Sequence, residues 1–107
     1  MNRDQTLPRI KQTNTILGSD PTRAGLVLNE EGISPLHAQI SLRHNKFWIN
    51  DLGSSDGTWK NYERLGLKPV VLEPGDIVHF GNIGFRFTII ESVNPPSVQV
   101  QKFEPLS

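Results

Sequence analysis

The chain has 107 residues, 11 Lys+Arg against 11 Asp+Glu, 3 His and no Cys, and its formal net charge is +0. That length suits one domain of the common ~100–150 residues and is enough to bury a core without staples. The absence of Cys excludes disulfides and thiolate sites, and the charge balance excludes broad nucleic-acid or anionic-membrane binding, which needs a basic excess.

Residues 1–9 read as a flexible tail, with no hydrophobic stretch of a signal peptide, and a domain is expected over residues 10–92. No segment carries apolar residues at i, i+3, i+4 and i+7 over three turns, so long helices are not expected, and no apolar run nears the ~18 residues of a membrane span. A short apolar run at residues 15–17 precedes the polar loop Gly18-Ser19-Asp20-Pro21-Thr22-Arg23-Ala24-Gly25. A second run at residues 26–28 leads to Gly32-Ile33-Ser34-Pro35-Leu36-His37.

Then Ala38, Ile40 and Leu42 alternate with Gln39, Ser41 and Arg43, and His44-Asn45-Lys46 forms a polar turn before Phe47-Trp48-Ile49. This is the pattern of a β-hairpin. A third polar loop, Asp51-Leu52-Gly53-Ser54-Ser55-Asp56-Gly57, runs into Thr58-Trp59-Lys60-Asn61-Tyr62. Another apolar run lies at residues 70–72, and Glu73-Pro74-Gly75-Asp76 is a turn sequence. A second hairpin follows, with Ile83, Phe85, Phe87 and Ile89 on one face and Gly81-Asn82 at its tip. Residues 93–97 read as a linker, and residues 98–103 alternate as a last edge strand or a tail. Turn signals every ~8–12 residues predict an all-β sandwich or barrel. Trp48, Trp59 and the Phe residues read as core, while Trp59 and Tyr62 could instead form a contact surface.

The three polar loops carry many hydroxyl and N–H donors and few metal ligands, and a rigid sheet displaying loops at one end is a common binding architecture. In order along the chain, Gly18, Ser34-Pro35-Leu36-His37, Gly53-Ser54-Ser55-Asp56-Gly57-Thr58, Gly75-Asp76 and the final hairpin resemble a forkhead-associated (FHA) domain over residues 13 to 90. The resemblance implies an antiparallel β-sandwich of about eleven strands, with loops at one end forming the binding site. It implies recognition of a phosphothreonine-containing peptide or partner protein, with no catalysis and no cofactor.

Carried over by residue, the resemblance makes Ser34 and Ser55 phosphate-binding. His37, Gly18, Gly57 and Thr58 become structural supports of the loops, and Asn61 supports or contacts the peptide. Three positions depart from the pattern: Ser19 stands where the family has Arg, Pro35 where it has a polar or basic residue, and Asp56 where it has Asn. Losing an Arg–phosphate contact weakens binding roughly 10- to 100-fold. Pro35 has no N–H to donate, and Asp56 would set a carboxylate near a dianion. Arg23, in the same loop as Ser19, is the candidate replacement; Arg43 and Lys60 are weaker candidates.

The alternative is a degenerate FHA domain that serves phospho-independent protein–protein interaction or assembly within a larger protein. Details of the loops resemble FHA domains of bacterial multidomain or membrane-attached proteins. A cytoplasmic, monomeric domain is expected, with a protein or peptide partner, no nucleic acid and no membrane insertion of its own. A Ser34/His37/Asp51 hydrolase has no Gly-x-Ser-x-Gly elbow to support it. His37, His44 and His79 have no metal-ligand spacing. Asp56-Gly57 could be a turn dipeptide and nothing more, and Gly18-Ser19-Asp20 lacks the Gly-Lys-Ser/Thr of a P-loop.

Overall fold

The computed structural model describes residues 7–92 and 95–103. Ten strands form in the described residues: β1 Asn14–Gly18, β2 Leu26–Val27, β3 Ala38–Arg43, β4 Lys46–Asp51, β5 Thr58–Lys60, β6 Glu63–Arg64, β7 Val70–Leu72, β8 Ile77–Phe80, β9 Ile83–Ile90 and β10 Ser97–Phe103. Ten therefore stand where about eleven were expected. They make two sheets, in the orders β2-β1-β3-β4-β7 and β10-β9-β8-β5-β6. All pairings are antiparallel except β1 with β2. No helix is present among the described residues, and none is long and apolar enough to cross a membrane.

Period-2 alternation drives this layering. Leu17, Ile40, Phe47 and Ile49 face inward from the first sheet, and Val78, Phe80, Phe85, Phe87, Val98 and Val100 from the second; all are buried. The two tryptophans depart from the core reading. Trp48 and Trp59 are half-buried, because each sits one position out of phase with its buried neighbours Phe47 and Ile49, or Thr58.

The turns match their residues. His44 and Asn45 both have positive φ (53° and 63°) between the paired Arg43 and Lys46, the I′ pattern of a two-residue hairpin. Gly81 (φ 64°) is the positive residue between Phe80 and Ile83, as a II′ turn requires. The Asp76 N–H bonds the Glu73 carbonyl at 3.1 Å with Gly75 at φ 83°, so Pro74-Gly75 closes a type II turn.

The last alternating segment is a strand: β10 pairs with β9 over its whole length, from Ser97 opposite Ile90 to Phe103 opposite Gly84. Its other edge receives the chain's beginning. The Leu7 N–H bonds the Val100 carbonyl at 2.9 Å, and Ile10 exchanges two bonds with Val98 at 2.8 and 2.9 Å. Of the tail and linker expected from the sequence, residues 1–6, 93–94 and 104–107 lie outside the described residues. β6 was not foreseen, since Glu63-Arg64 has no apolar signal.

Strand polarity decides where the site can be. β1 ends, β3 begins, β4 ends, β5 begins and β8 ends on the same side, so residues 19–37, 52–57 and 81–82 gather at one end of the sandwich. Beneath them Phe80 is the junction, with its ring 5.3 Å from His37, 5.6 Å from Phe85 and 6.4 Å from Phe87. Phe80→Ala is expected to cost about 3–5 kcal/mol in denaturant unfolding. It is also expected to broaden the NMR signals of residues around His37 before those of the distal hairpin at residues 44–45.

Candidate functional site

The loop end is built on two buried polar side chains. The first is Asp51, the last residue of β4. Its Oδ2 accepts the N–H of Gly53 at 2.7 Å and of Ser54 at 2.9 Å. Its Oδ1 accepts the hydroxyls of Ser54 and Thr58, both at 2.6 Å. Burial pushes the Asp51 carboxyl up, but these four donors outweigh it and hold it below the usual range of 3.8. Ser54 passes the network on, because its Oγ accepts the Gly57 N–H at 2.9 Å. Residues 53–57 are thereby wound around one carboxylate, with Gly53 (φ 79°) and Gly57 (φ 88°) taking the left-handed bends.

The second is His37, fully buried just before β3. Its Nδ1 accepts the Ser34 N–H at 3.1 Å, so Nε2 carries the proton and donates to the Gly57 carbonyl at 2.8 Å. One ring thus ties the loop of residues 32–36 to that of residues 53–57. A third link runs on the surface, where the Ser55 N–H donates to the Ser34 Oγ at 3.1 Å.

The first loop docks onto the second. Ser19 donates its N–H to the Ser34 carbonyl (3.1 Å) and its hydroxyl to the Ile33 carbonyl (2.9 Å). Gly18 permits this approach, since a Cβ there would stand 1.9 Å from the Pro35 carbonyl oxygen. Asp20 caps its own loop: Oδ1 accepts the Thr22 N–H at 2.9 Å and hydroxyl at 2.7 Å, and Oδ2 accepts the Arg23 Nε at 2.7 Å. The Arg23 guanidinium, then the Thr22 hydroxyl and N–H, draw the Asp20 carboxyl down to about 2.

Comparison with known proteins agrees with this construction. The family model for the FHA domain matches residues 15–81. The chain belongs to the FHA-domain family. A curated relative, chloroplastic zeaxanthin epoxidase of Spinacia oleracea, is 31% identical over 72 residues, which is 62% of this chain and 11% of that protein. A probable E3 ubiquitin-protein ligase of Schizosaccharomyces pombe is 35% identical over 63 residues, 54% of this chain and 24% of that protein. This FHA chain therefore spans a quarter or less of the length of these relatives.

Among solved structures, the FHA-2 domain of a Mycobacterium tuberculosis ABC transporter superposes with a TM-score of 0.67 at 23% identity, covering 91% of this chain and 80% of that one. An FHA domain from Chlamydia trachomatis superposes at 0.63 with 24% identity, covering 89% and 82%. These likenesses establish the fold.

The residues singled out in the FHA resemblance fall into two groups. Ser19, Ser34, Ser55 and Asp56 come together at the loop end, with His37, Gly18, Gly57 and Thr58 beneath or beside them. Arg23 lies in the same loop system, its side chain 62% exposed, but its Nε is committed to Asp20. Asn61 is not brought there. It follows β5 at the opposite end, where its Nδ2 donates to Asp76 Oδ1 (2.9 Å) and its Oδ1 accepts the Ile77 N–H (3.0 Å). It braces two turns against each other.

The hydrolase arrangement does not form. His37 spends both ring nitrogens on main chain, and Asp51 spends its acceptors on residues 53–58. Sequence reading missed Asp51 as the organiser of the FHA loop, although an Asp followed by Gly-Ser-Ser is the signal for a carboxylate collecting nearby N–H donors. It also missed Arg64, whose guanidinium lies over the Trp59 ring at 5.4 Å and 3.1 Å from where a Gly57 Cβ would stand.

Asp51→Asn is expected to cost about 3 kcal/mol, since an amide offers one acceptor oxygen to four donors. The native carboxyl lies below its unfolded value, so its stabilisation is present above the ordinary Asp value of 3.8 and is lost as pH falls below it. Acid unfolding of wild type should therefore steepen below that pH, and Asp51→Asn should flatten that limb. In an NMR carboxyl titration, Asp20 should show a midpoint of about 2, and Arg23→Ala should move it up toward 3.8.

Proposed function

We propose that this FHA domain is a protein-interaction module that recognises a phosphothreonine-containing peptide of a partner through its loop end, and that it carries no catalytic step. The observation that supports this most is the Ser34–Ser55 pair. The Ser55 N–H donates to the Ser34 oxygen, and among the described residues neither the Ser34 hydroxyl proton nor the exposed Ser55 hydroxyl has an acceptor, so both are available to donate. Two neutral donors on a rigid loop platform suit a phosphate. The fold likeness extends to an FHA domain solved for its phosphothreonine-dependent interactions (TM-score 0.63, 21% identity). It extends also to one solved in complex with the intracellular domain of another protein (TM-score 0.63, 20% identity).

The charge at this platform supports a weak phosphate site. Ser19 replaces an arginine and turns its hydroxyl inward to Ile33. Arg23 has its Nε bound to Asp20 and a side chain that is mostly exposed, so it can add a charge-assisted contact at some cost in freedom. The second reading, phospho-independent recognition, is favoured by the Asp56 carboxylate, which adds negative charge where a dianion would sit.

Titration of the isotope-labelled chain with matched phosphothreonine and unphosphorylated peptide libraries separates the two. Phosphate-dependent shifts centred on Ser34 and Ser55, abolished by Ser34→Ala, are expected. Ser19→Arg should tighten binding about tenfold or more. Equal shifts from both libraries, or none at the loop end, would overturn the phosphothreonine reading.

A further inference from the structure

Outside the phosphate-directed serines, one cavity of about 550 Å3 opens on the outer face of the second sheet, lined by Asp56, Trp59, Tyr62, His79, Gly81 and Asn82. Its size falls within the ~300–1,000 Å3 of small ligand sites. The strand register builds its floor. Arg64, Trp59, His79 and Gly84 are successive cross-strand partners on β6, β5, β8 and β9, so they form one row pointing outward. Gly84 leaves room for the imidazole, because a Cβ there would stand 2.9 Å from His79 Nε2. The Tyr62 ring then covers His79, with centroids 5.3 Å apart.

Two features of this cavity lack a structural reason of their own. The first is the Asp56 carboxylate. It lies between Gly32 and Gly81, with Oδ2 3.4 Å from where a Gly32 Cβ would stand and its Cβ 3.2 Å from where a Gly81 Cβ would stand. Among the described residues no hydrogen bond or ion pair engages it, whereas Asp20, Asp51 and Asp76 are all bonded. The second is Tyr62. It holds φ 72° as the second residue of the I′ turn between Lys60 and Glu63, the place where glycine is favoured, and the residue is 70% exposed. A bulky residue at positive φ is strained, and neither core burial nor a hydrogen bond offsets it.

We infer that this cavity takes a cationic side chain, arginine before lysine, of the partner protein. The cation would lie against the Trp59, Tyr62 and His79 rings, with its charge met by the Asp56 carboxylate. Aromatic faces attract a guanidinium, and Trp59 already holds that of Arg64. An unpaired carboxylate at the rim supplies the charge-assisted bond that fixes direction. The inference rests on the partner docking at the loop end, since Asp56 belongs to both places. It adds a basic residue beside the recognised threonine.

The pocket can be tested without a peptide, by NMR titration with N-acetyl-arginine amide and, as the uncharged control, N-acetyl-norleucine amide. The arginine probe alone should shift the Trp59 indole N–H, Tyr62 and Asp56, and Asp56→Asn should weaken it about tenfold. Tyr62→Gly should raise Tm by about 4 °C or more through relief of positive φ, and still lose the response. Equal shifts from both probes, shifts elsewhere, or an unchanged Asp56→Asn response would overturn the inference, and a Tyr62→Gly variant of lowered Tm would overturn the assignment of Tyr62 to it.

Ser34→Ala keeps this test apart from that of the phosphate site. It should abolish phosphothreonine binding and leave the arginine response intact. A chain that answers arginine but no phosphothreonine peptide keeps the pocket and loses the phosphate site. The reverse result loses the pocket alone.

Discussion

The joining of the two central loops depends on the two hydrogen bonds of one buried imidazole. His37 accepts from Ser34 on one side and donates to Gly57 on the other, and the edge contact with Phe80 fixes the ring between them. Only a neutral ring with its proton on Nε2 satisfies both partners, since a second ring proton would face the Ser34 N–H. The main chain of both loops is thus tied to the core as well as linked at the surface. That is why the Ser55 N–H meets the Ser34 Oγ at 3.1 Å. Asp51 does the same within residues 53–57, so the platform is rigid before any partner arrives, and the ordering cost is met on folding and not on binding.

Over this rigid frame the charges are arranged unlike those of a strong phosphate site. The one arginine of the first loop is held by Asp20, the Ser19 hydroxyl turns inward to Ile33, and among the described residues the carboxylate of Asp56 is left unpaired. Net neutrality of the whole chain hides this local pattern. Each of these groups is counted in the composition, but whether a charge is spent on a neighbour or left for a partner is a property of geometry alone. Arg64 illustrates the same point in reverse: nothing in Glu63-Arg64 signals a strand, and pairing with Trp59 brings its guanidinium to Gly57.

Where one force dominated, the fold was legible in the sequence. Alternation placed both hairpins because burial of Ile40, Ile49, Phe85 and Phe87 on one side of a pleat is worth more than any competing local preference. Gly-Asn and Pro-Gly marked their turns because φ is nearly decisive there. Legibility failed where several groups share one residue. Asn61 looked like part of a loop motif, yet it braces turns because the Asp76 carboxylate and the Ile77 N–H lie within its reach. Trp59 read as core or contact surface from its size and type, and its parity on β5 sets it on the outer face. The roles of Asp51 and Asp56, alike in charge and five residues apart, separate only when the donors around each are seen.

The outer face shows how a missing side chain can shape a surface. Gly84 interrupts an apolar strand, a position where glycine costs conformational entropy and packing. Its lack of a Cβ lets the His79 ring lie down on β9, and His79 lying down gives Tyr62 a surface to cover. Tyr62 covers it while keeping a left-handed backbone in a turn that glycine would close more comfortably. Strain of about 1–3 kcal/mol per such residue persists only where the surroundings hold it. Here the surroundings are an imidazole and a cavity open to solvent, a poor return in folding energy. The expense is intelligible if the product is the aromatic wall itself, set beside a carboxylate that nothing else in the described chain has claimed.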